Sequence, residues 1–145
     1  MPDEKPRPSI HAVSEELIPD FRAHGGKVTQ GPFVGRDILL LTTIGAKSGR
    51  PRIAPLVYTR DGDRIVIVAS KGGAPSHPAW YLNLLANPAV TVEIGSEKFQ
   101  ARAVVAEGAE RDRLYAKHAA VNPGFRDYQA RTTRVIPVVL LERIG

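Results

Sequence analysis

Residues 42–52 read Thr-Thr-Ile-Gly-Ala-Lys-Ser-Gly-Arg-Pro-Arg, and few other stretches of the chain hold as much chemistry. Glycines let backbone N–H groups approach a ligand with no Cβ in the way, and successive amides in such turns can form a concavity for an anion. Lys47 and Arg52 add full positive charge, and Ser48 adds a short hydroxyl donor beside Gly49. A second segment, Ser70-Lys71-Gly72-Gly73-Ala74-Pro75, repeats the mixture. Two readings fit the first loop: a cradle for an anion, or a basic hairpin loop whose glycines serve turn geometry alone. It is not a Walker phosphate loop. Ala46 stands where that motif needs glycine before the lysine, and Pro51 biases Arg50 away from helical angles.

Other catalytic constellations are missing from the sequence. His11, His24, His77 and His118 are far apart, with no pair at helical ligand spacing, so they read as surface or packing histidines and no metal site is expected. No Gly-x-Ser-x-Gly elbow supports a hydrolase. Asp61 and Asp63 flank Gly62 and read as turn residues rather than a carboxylate pair. Cysteine is absent, which removes disulfides, zinc–thiolate sites and thiol nucleophiles.

The elements that position the loops follow from periodicity. Residues 37–43 and 52–59 read as strands on either side of the first loop. Arg60-Asp61-Gly62-Asp63 is a hairpin turn, and 64–70 is a third strand whose continuous Ile65-Val66-Ile67-Val68 suggests burial on both faces. A helix is expected from Pro78 to about Ala86, with Trp80, Leu84 and Leu85 at helical spacing, stopped by Asn87-Pro88. Strands follow at 90–94 and 97–105, then a helix at 110–120 with Leu114, Tyr115 and His118 on one side, and a short helix from Pro123. An apolar strand at 135–141 closes the chain. Pro137 inside it predicts a sheet edge or a bulge. Upstream, Ser14 is placed to cap a short helix, Pro19 to kink or restart it, and Gly25-Gly26 to end it. Six strands joined largely by short turns predict an antiparallel barrel rather than a doubly wound sheet. The two glycine loops follow the first and third strands, so they leave the sheet at the same end and can converge.

A chain of 145 residues is expected to form one domain, here 13–145 behind a disordered tail at 1–12. Its composition, 43% hydrophobic and 24% charged, fits a globular protein with a real core. No apolar run approaches the ~18 residues of a membrane span, and the first nine residues lack the apolar centre of a signal peptide, which points to the cytoplasm. The net charge of +5 would suit nucleic acid, but the cations are scattered. The one Trp, four Tyr and four Phe make no basic–aromatic stacking strip, so a small polyanion is the expected partner.

Three ordered blocks resemble the deazaflavin-dependent nitroreductase family. The first is Leu39-Leu40-Leu41-Thr42-Thr43-Ile44-Gly45-Ala46-Lys47-Ser48-Gly49-Arg50-Pro51-Arg52 with Pro55-Leu56. The second is Val68-Ala69-Ser70-Lys71-Gly72-Gly73-Ala74-Pro75, then Pro78, Trp80-Tyr81, Asn83-Leu84 and Ala86-Asn87-Pro88. The third is Asp127-Tyr128-Gln129-Ala130-Arg131-Thr132 with Ile136-Pro137-Val138-Val139. The resemblance covers roughly residues 20–143.

The resemblance implies an α+β, mainly β fold: a split antiparallel β-barrel of the FMN-binding-barrel kind with peripheral helices. It implies coenzyme F-420, an 8-hydroxy-5-deazaflavin with a phosphate and an oligoglutamate tail, with FMN as the alternative cofactor. Carried over by position, Lys47, Ser48, Gly49 and Arg52 would hold the phosphate end, and Pro55 and Leu56 would lie along the cofactor. Ala69, Ser70 and Lys71 would line the deazaflavin, with Gly72 and Ala74 keeping the backbone close. Trp80 would cover part of the pocket or, alternatively, pack in the core. The implied reaction is hydride transfer from the reduced deazaflavin to a quinone or nitroaromatic acceptor, with Ser70 and Tyr128 as candidate catalytic hydrogen-bonding groups. The family tends to carry several tyrosines before the last strand. Here Asn122 and Phe125 stand at two of those positions and Tyr128 remains, which favours quinone over nitro reduction. A non-catalytic deazaflavin carrier, a homodimer and peripheral membrane contact stay open.

Overall fold

The computed structural model describes residues 10–31 and 33–144; the remainder of the expected tail lies outside the described residues. The elements run α1 (Ile10–Ala23), β1 (Ile38–Ile44), β2 (Pro51–Val57), β3 (Thr59–Asp61), β4 (Arg64–Val68), a 3-10 turn (Lys71–Gly73), α2 (Ala79–Ala86), β5 (Ala89–Ile94), β6 (Glu97–Val105), α3 (Gly108–Val121), α4 (Gly124–Ala130) and β7 (Val138–Arg143). All seven strands form one antiparallel sheet in the order β2-β1-β5-β6-β7-β4-β3. β2 and β3 lie at opposite edges yet are separated by Tyr58 alone, so one continuous stretch joins the two edges and curls the sheet into a split barrel. The fold is the mainly β split barrel with peripheral helices that the resemblance implied.

Strand periodicity sorts the core. Alternate residues face opposite sides, so Leu39 and Leu41 of β1, Ile65 and Ile67 of β4, Val90 and Val92 of β5, and Val139 and Leu141 of β7 fill the barrel interior with Trp80, Tyr81 and Leu84 of α2. The intervening positions face outward. Ile38 and Leu40 of β1 meet Leu17 and Phe21 of α1. Val66, Val68, Val138 and Leu140 meet Leu114, Tyr115 and Ala119 of α3 and Phe125 of α4. This two-sided cover is why β1 and β4 read as unbroken apolar runs. Leu85, expected on the buried side of α2, is 54% exposed; Tyr81 and Asn83 face the barrel instead.

Other expectations need correction. The described residues form seven strands rather than six, because the predicted strand at 52–59 breaks at Tyr58, whose N–H donates to the Asp37 carbonyl at 3.1 Å. β7 is not an edge strand: it pairs with both β6 and β4. Its ladder starts at Val138, so Pro137 needs no N–H and gives only its carbonyl, which accepts from Ala69 N–H at 2.9 Å. α1 begins at Ile10, upstream of Ser14, taking in residues 10–12 of the expected tail, and runs through Pro19 as one helix. It ends where expected, at Gly25 and Gly26, whose positive φ angles close the C-terminus with Gly26 N–H on the Phe21 carbonyl. α2 starts one residue after Pro78.

Candidate active site

Four antiparallel steps separate β1 from β4 in the sheet order, so the two strands run in the same direction and deliver both glycine loops to the same end of the barrel, as the sequence implied. α2 stands between the loops.

The first loop, residues 45–50, is a closed turn. Gly45 N–H donates to the Arg50 carbonyl at 2.8 Å, and Gly49, at φ 69°, returns its N–H to the Gly45 carbonyl at 2.9 Å. Ser48 Oγ accepts from Arg50 N–H at 3.2 Å, and Ala46 N–H donates to Asn83 Oδ1 at 2.9 Å. Most loop amides are thus used internally, which corrects the picture of a cradle lined by free N–H groups. Of the loop's amides, those of Lys47 and Ser48 have no protein acceptor among the described residues. The positive charge is open: Lys47, Arg50 and Arg52 are exposed and none meets a carboxylate among the described residues.

Asn83 is the hinge between this loop and the core. It is buried, its Oδ1 holds Ala46, and its Nδ2 donates to Thr43 Oγ1 at 3.1 Å. One polar side chain on the barrel-facing side of α2 therefore fixes where the basic loop sits.

Register separates two residues that sequence had placed together. Arg52 lies opposite Thr43 and Leu56 opposite Leu39, so both are on the interior-facing side of β2. Pro55 lies opposite Leu40 and is buried on the outer side, under α1. Pro55 therefore does not share a face with Leu56.

The second loop is held by Arg134, which sequence reasoning passed over among the scattered cations. Its Nε donates to the Ala74 carbonyl at 2.8 Å, Nη1 to the Ala69 carbonyl at 3.1 Å and Nη2 to the Ser70 carbonyl at 2.7 Å. Nη1 also meets His77 Nδ1 at 3.2 Å. Ala69 is fully buried in the barrel interior. Ser70 is 7% exposed and caps the 3-10 turn without a side-chain capping bond, and its hydroxyl has no partner among the described residues. Lys71 takes a left-handed φ of 47° and reaches Ser76 Oγ at 3.3 Å. Gly73 makes a close approach in this turn. Gly73 has φ 83°, and a Cβ there would lie 2.7 Å from the Tyr128 carbonyl oxygen. Ala74 is half-buried beside it.

Trp80 is 9% exposed and sits in the interior cluster, edge-on to Tyr81 at 6.4 Å, the core-packing alternative of the sequence reading. Tyr128 packs against the outer cluster, 5.0 Å from Phe125, and no hydrogen bond joins it to Ser70 among the described residues. Asn122 and Phe125 are buried between α3 and α4, where Asn122 Oδ1 accepts from Arg36 at 3.1 Å and Phe125 meets His118 edge-on at 4.5 Å. Neither side chain is open to an acceptor molecule. His118 is fully buried, with Nδ1 on Thr59 Oγ1 at 2.9 Å and Nε2 unpaired. Burial, aided by the positive charge of Arg36, pushes its pKa down to about 4. Among the described residues no cluster could hold a metal.

A family model described as F420H(2)-dependent quinone reductase matches residues 16–143. An F420H(2)-dependent quinone reductase of Mycobacterium tuberculosis is 46% identical over 108 residues, 72% of each chain. A putative F420H(2)-dependent quinone reductase of the same species is 41% identical over 103 residues, 71% of this chain and 87% of the relative. Among solved structures, an F420-H2 dependent reductase (FDR-A) superposes with a TM-score of 0.68 at 42% identity, over 74% of this chain and 95% of the other. A chain described as a domain-swapped dimer superposes with a TM-score of 0.70 at 37% identity, over 89% and 94%.

Proposed function

Because this chain belongs to the F420H(2)-dependent quinone reductase family, we propose that the two loops at one barrel end hold the deazaflavin and present it to a quinone. The enzyme is an oxidoreductase whose cofactor is coenzyme F-420 rather than FMN. The observation that carries the site is the trio Lys47, Arg50 and Arg52, exposed and without carboxylate partners among the described residues, on and just after a loop that Asn83 locks to the barrel. That donor set fits the phosphate and the acidic tail of F-420, because unpaired cations on a rigid turn can bind anions without first breaking ion pairs.

When bound, the coenzyme supplies the hydride. The chain supplies orientation and electrostatics. In this reading Lys47, Ser48, Gly49 and Arg52 take the phosphate end, Leu56 lies along the cofactor, and Ala69 and Trp80 back the ring site from the barrel interior. Ser70 Oγ and Lys71 donate to the ring or to the acceptor, and Gly72 and Ala74 keep the turn narrow. Pro55 supports β2 from behind, and Tyr128 buttresses Gly73 rather than delivering a proton. No helix among the described residues is long and apolar enough to cross a membrane. We further assign nitroaromatics as secondary acceptors, a cytoplasmic location and a homodimeric state.

Anaerobic mixing of the protein with reduced F-420 and menadione tests the reaction. Reoxidation of the cofactor no faster than in buffer refutes it. Lys47→Ala with Arg52→Ala tests the anion loop: F-420 affinity should fall at least about tenfold, the loss of one or two charge-assisted contacts, with the melting temperature unchanged. Unchanged affinity removes the loop from the site.

A further inference from the structure

We infer that Arg134 is a positioning residue: it presets the second loop and holds His77 as a neutral imidazole whose Nε2–H donates to a carbonyl oxygen of a bound molecule. The inference rests on the functional reading above for what enters the site, and on geometry for the rest.

A guanidinium has five N–H groups and no acceptor. Arg134 commits four of them: three to the carbonyls of Ala69, Ser70 and Ala74, and one to His77 Nδ1. Little of its fork is left for a phosphate or carboxylate, so its role is directed at the loop itself. The Ser70 and Ala74 carbonyls bracket Lys71, the one non-glycine residue at positive φ among the described residues. Such a conformation persists where the surroundings over-determine it, and Arg134 grips both sides of it. Arg134 is in turn fixed from behind. Its carbonyl accepts from Gln129 Nε2 at 2.9 Å, Gln129 Oε1 accepts from Ile136 N–H at 3.1 Å and from Arg111 Nη2 at 2.6 Å, and Arg111 also binds the Ile136 carbonyl at 2.7 Å. The irregular segment before β7 is thus a strap pinned to α3 and α4, from which Arg134 reaches forward onto the loop.

The contact with His77 settles the imidazole's tautomer. Since the guanidinium can only donate, Nδ1 must accept, and the ring proton of neutral His77 is on Nε2. The ring leans on Tyr81 of the barrel-facing side of α2, with centroids 4.9 Å apart, so its direction is fixed as well. His77 is half-buried, and its Nε2 has no protein acceptor among the described residues. An oriented N–H at the join between the second loop and α2 suits a carbonyl oxygen. Both the deazaflavin ring and a quinone carry one.

Long-range proton–nitrogen NMR on labelled protein, with and without oxidised F-420, reads the tautomer directly, His77 being assigned by its loss in His77→Gln. A proton on Nε2 is expected; a proton on Nδ1, or a doubly protonated ring, overturns the inference whether or not any ligand binds. His77→Leu, His77→Gln, Arg134→Lys and Arg134→Gln then enter two assays. One is fluorescence titration with oxidised F-420 without acceptor; the other is quinone KM and kcat at saturating reduced cofactor. If the oxygen belongs to the cofactor, His77→Leu weakens F-420 binding at least about tenfold; if it belongs to the quinone, that loss appears in kcat/KM for quinone while F-420 affinity holds. His77→Gln, which keeps an N–H near the same point, should recover most of either loss. Both Arg134 variants should move the parameter that His77→Leu moves, with the lysine milder. An Arg134 variant that lowers the melting temperature and moves neither parameter shows a structural role only and overturns the assignment, as does His77→Leu with both parameters unchanged. Wild-type protein that neither binds nor oxidises the cofactor refutes the functional reading instead, and leaves the NMR result to judge this one.

Discussion

Asn83 offers the most direct way to separate the barrel from the loop it holds. In Asn83→Ala, Ala46 N–H and Thr43 Oγ1 lose their partners. Ala46 is exposed, so its amide can turn to water, and the loss there is the net value of one hydrogen bond, about 1 kcal/mol. Thr43 is 1% exposed, so its hydroxyl is stranded at a cost of about 1–3 kcal/mol. Together the variant should be destabilised by about 2–4 kcal/mol, or a fall of about 1–2 M in the urea midpoint at a slope near 2 kcal/mol per M. Hydrogen exchange should show the Ala46 amide opening far faster while the β1 ladder stays protected. Asn83→Asp is the informative companion. One carboxylate oxygen still accepts from Ala46, and the Thr43 hydroxyl can turn to donate to the other. The Ala46 amide should then stay protected while F-420 affinity falls at least about fivefold, because a negative charge now sits beneath a loop that must hold an anion. An unchanged midpoint in Asn83→Ala would show that the two bonds contribute nothing. Wild-type affinity in Asn83→Asp would show that the anion binds elsewhere.

Gly73→Ala should be destabilised by at least about 2 kcal/mol, combining left-handed backbone strain of roughly 1–2 kcal/mol with a Cβ driven against the Tyr128 carbonyl. Gly62→Ala, at φ 63° with open space around it, should show the strain alone, and equal urea midpoints for the two variants would refute the close approach. His118 predicts an acid limb of stability. The native state keeps the ring neutral down to about pH 4, whereas the unfolded chain protonates near 6.5. Stability is therefore full above pH 6.5 and falls as the pH drops to about 4, by up to about 3 kcal/mol. His118→Leu should flatten that limb in urea melts across the same range, and parallel curves for the two proteins would sink the assignment.

Much of this was legible in the chain because it is written in local periodicity. Ile65-Val66-Ile67-Val68 announces a strand buried on both faces, and the Asp-Gly turn that precedes it sets the hairpin. Equal strand direction placed both glycine loops at one end. What stayed hidden depends on contacts between residues far apart in sequence. Arg134 looks like any other arginine until the chain folds its guanidinium onto carbonyls more than 55 residues away. Pro137 was misread as an edge marker because a proline that merely precedes a ladder looks, in sequence, the same as one inside it. Asn122 and Phe125 were weighed as acceptor-facing positions, but their burial under α3 follows from helix packing that no local pattern encodes. For Asn83 a signal existed: an amide on the same helical side as Trp80 and Leu84 asks for buried partners.

The passage from β2 through Tyr58 to β3 has a kinetic consequence. The hairpins β1–β2, β3–β4 and β5–β6 are local and can form early. The pairings β1 with β5 and β4 with β7 join residues some 50 and 70 positions apart, so the seam closes only after long loops have been ordered. Until then β1 and β4 each lack a partner on one side, and the unfinished sheet offers both to any neighbour in the same condition. The slow step of folding and the step most exposed to exchange of segments between chains are therefore the same step, set by one residue's bend in the backbone.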